Sequence, residues 1–156
     1  MHVPFSASDF INRAEAVYAD RVGIVDEPHQ PAPSLGDVTY REVADLARRQ
    51  AARLDELGIG FGDRVAIVSH NSARLFGSFF GVSGYGRVLV PVNFRLSFDE
   101  VQFIVQHSGS RIVYVDPELK DALSGLEAEH VFVLGDDDDL YAPSGSQACG
   151  CDPTGA

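Results

Sequence analysis

The chain has 156 residues, of which 45% are hydrophobic, and its net charge at pH 7 is −11. This length and composition suit one soluble globular domain with a sizeable core. Ten acidic residues and a single basic one lie within residues 116–156, so the excess charge is concentrated there, and no basic face remains to bind nucleic acid.

Neither the N-terminus nor the cysteines indicate export. The opening MHVPFSASDF lacks the basic stretch and apolar core of a signal peptide, and no apolar run has the length of a membrane span. Cys149 and Cys151 are too few and too close together for a secreted disulfide framework. We therefore expect a cytoplasmic protein without a transmembrane segment.

Three helices are predicted to begin with the same capping signature. Ser6, Thr39 and Ser97 each supply an N-cap hydroxyl, and an acidic residue follows three positions later. Apolar residues flank each start at the staple positions, which are Phe5 with Phe10, Val38 with Val43 and Leu96 with Val101. The second helix is the clearest because its apolar residues recur at helical spacing from Val43 onward.

Five short apolar runs predict strands at residues 22–26, 64–69, 88–92, 111–115 and 130–134. The middle runs are nearly continuous valine, isoleucine and leucine, which is typical of a parallel sheet covered on both faces. Their alternation with helices indicates βαβ units. The sequence therefore predicts an α/β fold, a three-layer αβα arrangement with a mostly parallel sheet. An early hairpin is expected to pair residues 23–26 with 37–40.

The apolar stretch SARLFGSFFGVSGYG, residues 72–86, contains four glycines. We interpret it as a buried helix whose glycines let it lie close to the sheet. The alternative is a pocket wall, where missing side chains leave room for a ligand.

The stretch GIGFGDRVAIVSHNS, residues 58–72, resembles a nucleotide loop at first sight. A dinucleotide fingerprint would need glycine where Asp63 stands, and its loop would follow a strand and open a helix. Here the loop follows a helix and precedes a strand. We therefore interpret Gly58 as a helix C-terminal glycine and the loop as a connection that binds no phosphate.

The remaining candidate sites also favour structural interpretations. The histidines, at positions 2, 29, 70, 107 and 130, lack metal-binding spacing. His70 ends a parallel strand at the edge where such sheets bind ligands, but a helix-start or solvent-facing role is favoured for it. The acidic run 136–139, the Ser-Gly segment 143–147 and the two cysteines lie in a stretch without periodicity, which we predict to be a disordered tail. We assign no catalytic, cofactor-binding or metal-binding residue.

Three segments in order resemble one family. They are DVTYREV (37–43), GFGDRVAI continuing into SHNS (60–72), and GYGRVLVPVNFRLS (84–97). Together they look like the N-terminal part of the AMP-forming adenylating enzymes, which comprise acyl-CoA synthetases, luciferases and peptide-synthetase adenylation domains. With Asn93, the third segment is more similar to the acyl-CoA synthetase branch of the family. Tyr85 departs from the family pattern, which usually has a small residue between the glycines at positions 84 and 86.

The resemblance implies an acid–CoA ligase that adenylates a carboxylic acid, such as a fatty acid, with ATP and magnesium and then transfers the acyl group to coenzyme A. It places the phosphate loop, the magnesium-supporting acid and the catalytic lysine after the segment present here. Lys120, the single lysine, matches none of these positions. We therefore expect residues 1–135 to form the N-terminal subdomain of the fold and 136–156 the acidic tail.

The resemblance also implies that the chain is a fragment, inactive alone, with weak or no binding of ATP, magnesium or coenzyme A. The residues after Gln147 are interpreted as the result of a frameshift or premature stop, and exposed apolar surface is expected to cause self-association. Two alternatives remain open: a stand-alone flavodoxin-like binding or scaffold domain, and a regulatory decoy that pairs with a full-length relative.

Overall fold

The computed structural model describes residues 6–136, within which helices and strands follow one another in the predicted α/β order. The helices are α1 (Ala7–Tyr18), α2 (Tyr40–Glu56), α3 (Ala73–Gly81) and α4 (Phe98–Ser108). The strands are β1 (Val22–Val25), β2 (Asp37–Thr39), β3 (Arg64–Val68), β4 (Val88–Val92), β5 (Ser110–Val115) and β6 (His130–Val133). Single 3₁₀ turns cover Ser83–Tyr85 and Pro117–Leu119. The predicted first and last residues of the five strands each lie within one residue of the observed ones.

The three predicted helix starts are confirmed as capping boxes. In each, the acid three residues into the helix accepts a hydrogen bond from the backbone N–H of the cap residue, over 2.8 Å at Ser6, 2.7 Å at Thr39 and 2.9 Å at Ser97. The staple residues Val38 and Val43 both lie in the core. The predicted staple partner of α1, Phe5, lies outside the described residues.

The strands within residues 6–136 form two separate sheets. β1 and β2 pair antiparallel as the predicted hairpin, with Val22 opposite Thr39 and Val25 opposite Asp37. The main sheet has four parallel strands in the order β4-β3-β5-β6. This order places β3 and β5 in the centre, which explains why their sequences are almost wholly apolar.

Alternation along β3 divides the core into two layers. Val65 and Ile67 pack with the hairpin and the helices α1, α2 and α3, whereas Ala66 and Val68 face α4. The same alternation applies to β5, because successive side chains of a strand point to opposite faces. The predicted three-layer αβα arrangement is therefore confirmed.

The apolar stretch around α3 differs from its prediction. The helix covers only Ala73–Gly81, and Phe76 and Phe79 remain 49% and 44% exposed. Its last glycine brings it close to α2: a Cβ added at Gly81 would lie 2.1 Å from Gln50 Oε1. The glycine thus serves helix-to-helix packing, a tertiary contact that the local pattern does not specify.

No helix among residues 6–136 combines the length and apolar character needed to cross a membrane. The predicted disordered tail, with its acidic run beyond Asp136, its Ser-Gly segment and both cysteines, lies outside the described residues. The boundary at residue 135 therefore stays a prediction.

Candidate functional site at the carboxyl edge of the parallel sheet

The glycine loop connects α2 to β3, as predicted. The chain leaves α2 after Glu56, and Gly58 adopts the left-handed backbone with φ +69°. Gly62 does the same with φ +79°, immediately before the strand begins. Glycine adopts this conformation without the steric cost that a Cβ would add.

The glycine amides of this loop already donate to protein acceptors. Gly58 donates to the carbonyl of Asp55 over 2.9 Å, and Gly62 donates to the carbonyl of Gly86 over 2.8 Å. The third amide, that of Gly60, donates to the carboxylate of Asp63 over 2.8 Å. A phosphate cradle needs these N–H groups directed at the ligand. The loop therefore does not fit a triphosphate, and the acid at its end would repel one.

Asp63 also belongs to an ion-pair network at the amino edge of the sheet. Arg111 donates to Asp63 Oδ2 over 2.8 Å and to both carboxylate oxygens of Glu129 over 2.7 and 2.9 Å. The Gly60 amide and then the Arg111 guanidinium lower the pKa of Asp63, and Arg111 lowers the pKa of Glu129. The lowered pKa values favour the charged form of both acids. Through Arg111, the two carboxylates connect the loop, β5 and the start of β6.

The carboxyl edge of the sheet gathers the polar residues that follow β3, β4 and β5. The His70 ring lies against Phe94, with centroids 3.8 Å apart, and His70 Nε2 pairs with the carboxylate of Glu118. The sequence favoured a helix-start or solvent-facing role for His70. In the structure the side chain is only 30% exposed, because Phe94 and Glu118 cover it from neighbouring loops.

Asp116, directly after β5, is the most buried acid of this edge, at 2% exposure. Its amide donates to the carbonyl of Val68 over 2.9 Å, and its Oδ2 lies 3.4 Å from the His70 amide. Its Oδ1 has no hydrogen-bond partner among the described residues. Sequence reasoning missed Asp116, although an acid directly after a buried parallel strand is the signal that could have found it.

Asp26, at the end of β1, holds the start of α3. The residue is 5% exposed, and its carboxylate accepts hydrogen bonds from the amides of Ala73 and Leu35 and from the side chain of Gln30, over 2.8, 2.9 and 2.7 Å. A negative charge at a helix N-terminus is favourable. Ser72 caps the same helix by accepting from the Leu75 amide. No local pattern marked Asp26, since its main partner lies far along the chain.

The other candidates remain dispersed. His107 stacks on Phe103, and His130 stacks on Phe132. Lys120 pairs with Asp136 over 3.7 Å. Among residues 6–136 no group of three or more histidine, cysteine or acidic side chains is arranged to hold a metal ion. His2 lies outside the described residues, and the assignment of no site residue stays a prediction.

The fold defines the class first: an αβα protein with a parallel sheet, whose carboxyl edge is where ligands of such sheets bind. The family follows from a comparison with known proteins. The family model described as "AMP-binding enzyme" matches residues 11–151. The chain belongs to the AMP-binding enzyme family.

Named relatives agree with this assignment. The chain is 36% identical over 121 residues to a long-chain-fatty-acid–CoA ligase of Thermus thermophilus, covering 78% of this chain and 22% of the relative. It is 32% identical over 141 residues to 4-hydroxybutyrate–CoA ligase 2 of Metallosphaera sedula, covering 88% and 24%. The solved N-terminal domain of FACL13 from Mycobacterium tuberculosis is similar with a TM-score of 0.71 at 28% identity, covering 83% of this chain and 34% of that one.

The resemblance read from the three sequence segments is therefore confirmed, and a stand-alone flavodoxin-like module is not favoured. The chain spans less than a quarter of the length of these two ligases. The ligase activity of these whole relatives is therefore a proposal for this protein.

Proposed function

We propose that this protein is the N-terminal part of an ATP-dependent acid–CoA ligase, which activates a carboxylic acid as its acyl-adenylate and then forms the thioester with coenzyme A. The observation that carries the proposal is the family match over residues 11–151. The relatives described above, both acyl–CoA ligases by name, support it. A cytoplasmic location belongs to the same proposal.

Within such an enzyme, we assign the described residues to scaffolding. The amides of Gly58, Gly60 and Gly62 already donate to protein acceptors, and the carboxylate of Asp26 is engaged by four donors, which are the amides of Ala73 and Leu35 and the side chains of Gln30 and Ser34. The loop therefore does not fit a triphosphate, Asp26 does not fit magnesium, and no group of three or more histidine, cysteine or acidic side chains within residues 6–136 is arranged to hold a metal ion. In the whole enzyme the metal would stabilise negative charge that develops on the phosphate. We place that chemistry in the part of the relatives that this chain does not span.

The acid substrate is proposed to be a fatty acid. The Thermus relative is named for long-chain fatty acids, whereas the Metallosphaera relative is named for 4-hydroxybutyrate. Both acids carry the carboxylate that adenylation needs. The two acids differ strongly in chain length and polarity, so activity with each of them is measured separately.

A segment exchange tests the proposal. The matched N-terminal segment of the Thermus ligase would be replaced by residues 6–135 of this chain, and acyl-CoA formation would be measured with a long-chain acid and with 4-hydroxybutyrate. We expect activity that requires ATP, magnesium and coenzyme A. The control is a second chimera with the same exchanged segment and the substitution Phe61→Ser. Phe61 is 93% exposed, so this chimera shows whether the ligase tolerates a surface change in the new segment. A chimera that unfolds cooperatively yet forms no acyl-CoA contradicts the proposal.

The chain alone is expected to give no carboxylate-dependent ATP–pyrophosphate exchange. Robust exchange would contradict the assignment of the reacting groups to the part that this chain does not span. Self-association is proposed as well, since several aromatic side chains of the described residues are exposed, with Phe61 the most exposed of them. Sedimentation over a range of concentrations measures it, and a monomer at all of them would contradict it.

A further inference from the structure

A small apolar cavity lies between α1, β1, α2 and α3 and has no part in the proposed function. Its volume is about 120 Å³. The walls include Phe10, Ile11, Ala14, Ile24, Phe76 and Phe80. The only polar side-chain atom that the lining residues contribute is the hydroxyl of Tyr40, and none of them is charged.

The cavity has a buried floor and an open rim. Ile11 and Val43 are 5% and 1% exposed and form the floor, whereas Phe10 and Phe76 are 63% and 49% exposed. The Phe76 ring meets Phe80 edge to face, with centroids 5.3 Å apart, so one wall is aromatic. A group that enters between the exposed rings therefore reaches an interior in which every lining side chain except Tyr40 is apolar.

The gap has a local cause in α1. Phe10, Ile11 and Ala14 lie on one helix face, because residues three and four apart are neighbours on a helix surface. The first two fill their space with large side chains, whereas Ala14 contributes only a methyl group. A larger side chain at position 14 would occupy part of the cavity.

We infer that this cavity binds a small nonpolar molecule, of the size of one benzene ring or a short branched alkyl chain. An apolar cavity of about 150 Å³ is known to stay dry and to take up benzene, and this cavity is of similar size. A water molecule needs two to four polar partners, which the interior does not provide. Water that enters from the rim therefore makes few hydrogen bonds with the lining, and a nonpolar ligand displaces it at little cost.

The experiment uses the whole chain with labelled isoleucine δ1-methyl groups and benzene as the probe. Ile11 and Ile24 line the cavity, whereas Ile104 packs on the opposite face of the sheet. We expect saturable shifts of the Ile11 and Ile24 resonances and none at Ile104. Shifts that grow linearly with benzene, or that affect all three residues alike, would overturn the inference.

A matched pair of variants locates the binding. Ala14→Leu fills the cavity and is expected to weaken benzene binding by at least about tenfold, because the ligand loses its apolar space. Ala16→Leu makes the same change at an exposed position of α1 and is expected to leave binding unchanged. Ala14→Met, which fills the gap with a more flexible side chain, repeats the test if Ala14→Leu loses its native methyl spectrum.

Two outcomes contradict the inference. Equal benzene affinity in Ala14→Leu and the original chain means that the probe binds elsewhere. The second outcome is that the Ile11 and Ile24 resonances shift with protein concentration in the absence of benzene, and that these shifts vanish in Ala14→Leu. This outcome means that a second copy of the chain fills the cavity instead. Neither result bears on the adenylation proposal, which depends on other residues.

Discussion

The carboxylate of Asp26 accepts a hydrogen bond from the Ala73 amide over 2.8 Å, although 47 positions separate the two residues. This contact fixes the end of the hairpin against the first turn of α3. Because α3 begins just after His70, the same contact constrains the loop at the carboxyl edge of the parallel sheet. A buried acid outside the main sheet thus positions the edge where a ligand would bind.

Replacing Asp26 with asparagine is expected to destabilise the fold by about 2–3 kcal/mol. The amide keeps one acceptor oxygen, which can serve Ala73, but its NH₂ group then faces the Leu35 amide and the Gln30 side chain, which are donors. Urea unfolding at pH 7 measures the change. Asp20→Asn, at a side chain that is 90% exposed, is the control and is expected to stay within about 0.5 kcal/mol. Equal effects of the two substitutions would contradict the role of Asp26.

The Asp63–Arg111–Glu129 network is expected to make stability fall in acid. The pKa values of Asp63 and Glu129 are lower in the folded chain than their ordinary values of 3.8 and 4.5, so the unfolded chain binds more protons as the pH drops. The stabilisation is complete above about pH 5 and is lost as the pH falls through the lowered pKa values. Urea midpoints measured at several values from pH 7 to pH 3 follow this loss.

Asp63→Asn is the matching test of the pH dependence. It is expected to lower stability at pH 7 and to make the decline in acid less steep, because one of the two acids with a lowered pKa is gone while Glu129 remains. Asp121 is exposed and forms no ion pair with another residue of the range 6–136. Asp121→Asn should therefore leave the acid-induced decline in stability unchanged. A decline of the same steepness in Asp63→Asn and the original chain would show that other carboxylates control acid stability.

Gly81→Ala is expected to destabilise the chain by about 1–3 kcal/mol, since the added methyl group would overlap the buried Gln50 side chain. The direction is informative, because alanine usually favours a helix over glycine by about 1 kcal/mol. A Gln50→Ala background removes the carboxamide that makes the nearest contacts and leaves only the Gln50 Cβ, 2.9 Å from the added methyl group, so Gly81→Ala should cost less there than in the original chain. A double-mutant cycle measures this coupling, and additive effects would contradict it.

Leu54→Ala is expected to cost about 2–5 kcal/mol, because Leu54 is fully buried between α2 and the sheet and its loss leaves a cavity. Arg49→Ala, at an exposed position of the same helix, should change stability by less than about 0.5 kcal/mol. Thermal and urea unfolding of both variants check the difference. A small loss in Leu54→Ala would mean that the core around α2 collapses to fill the space.

Features within a few residues of one another were predictable from the sequence. The capping boxes at Ser6, Thr39 and Ser97 join atoms three positions apart, so their residue types alone specify the helix starts. The apolar runs gave the strands, and the glycine between α2 and β3 marked a helix end. The segments 37–43, 60–72 and 84–97 were enough to identify the family, because each contains the start of a helix or strand.

Contacts between distant segments were decided only by the tertiary structure. The strand order β4-β3-β5-β6, the tie from Asp26 to Ala73, the fit of Gly81 against Gln50 and the network around Arg111 all join residues far apart in the chain. A local pattern specifies which elements form, because propensity and capping act within one or two turns. It does not specify which elements meet, because that depends on how all the apolar faces are buried together.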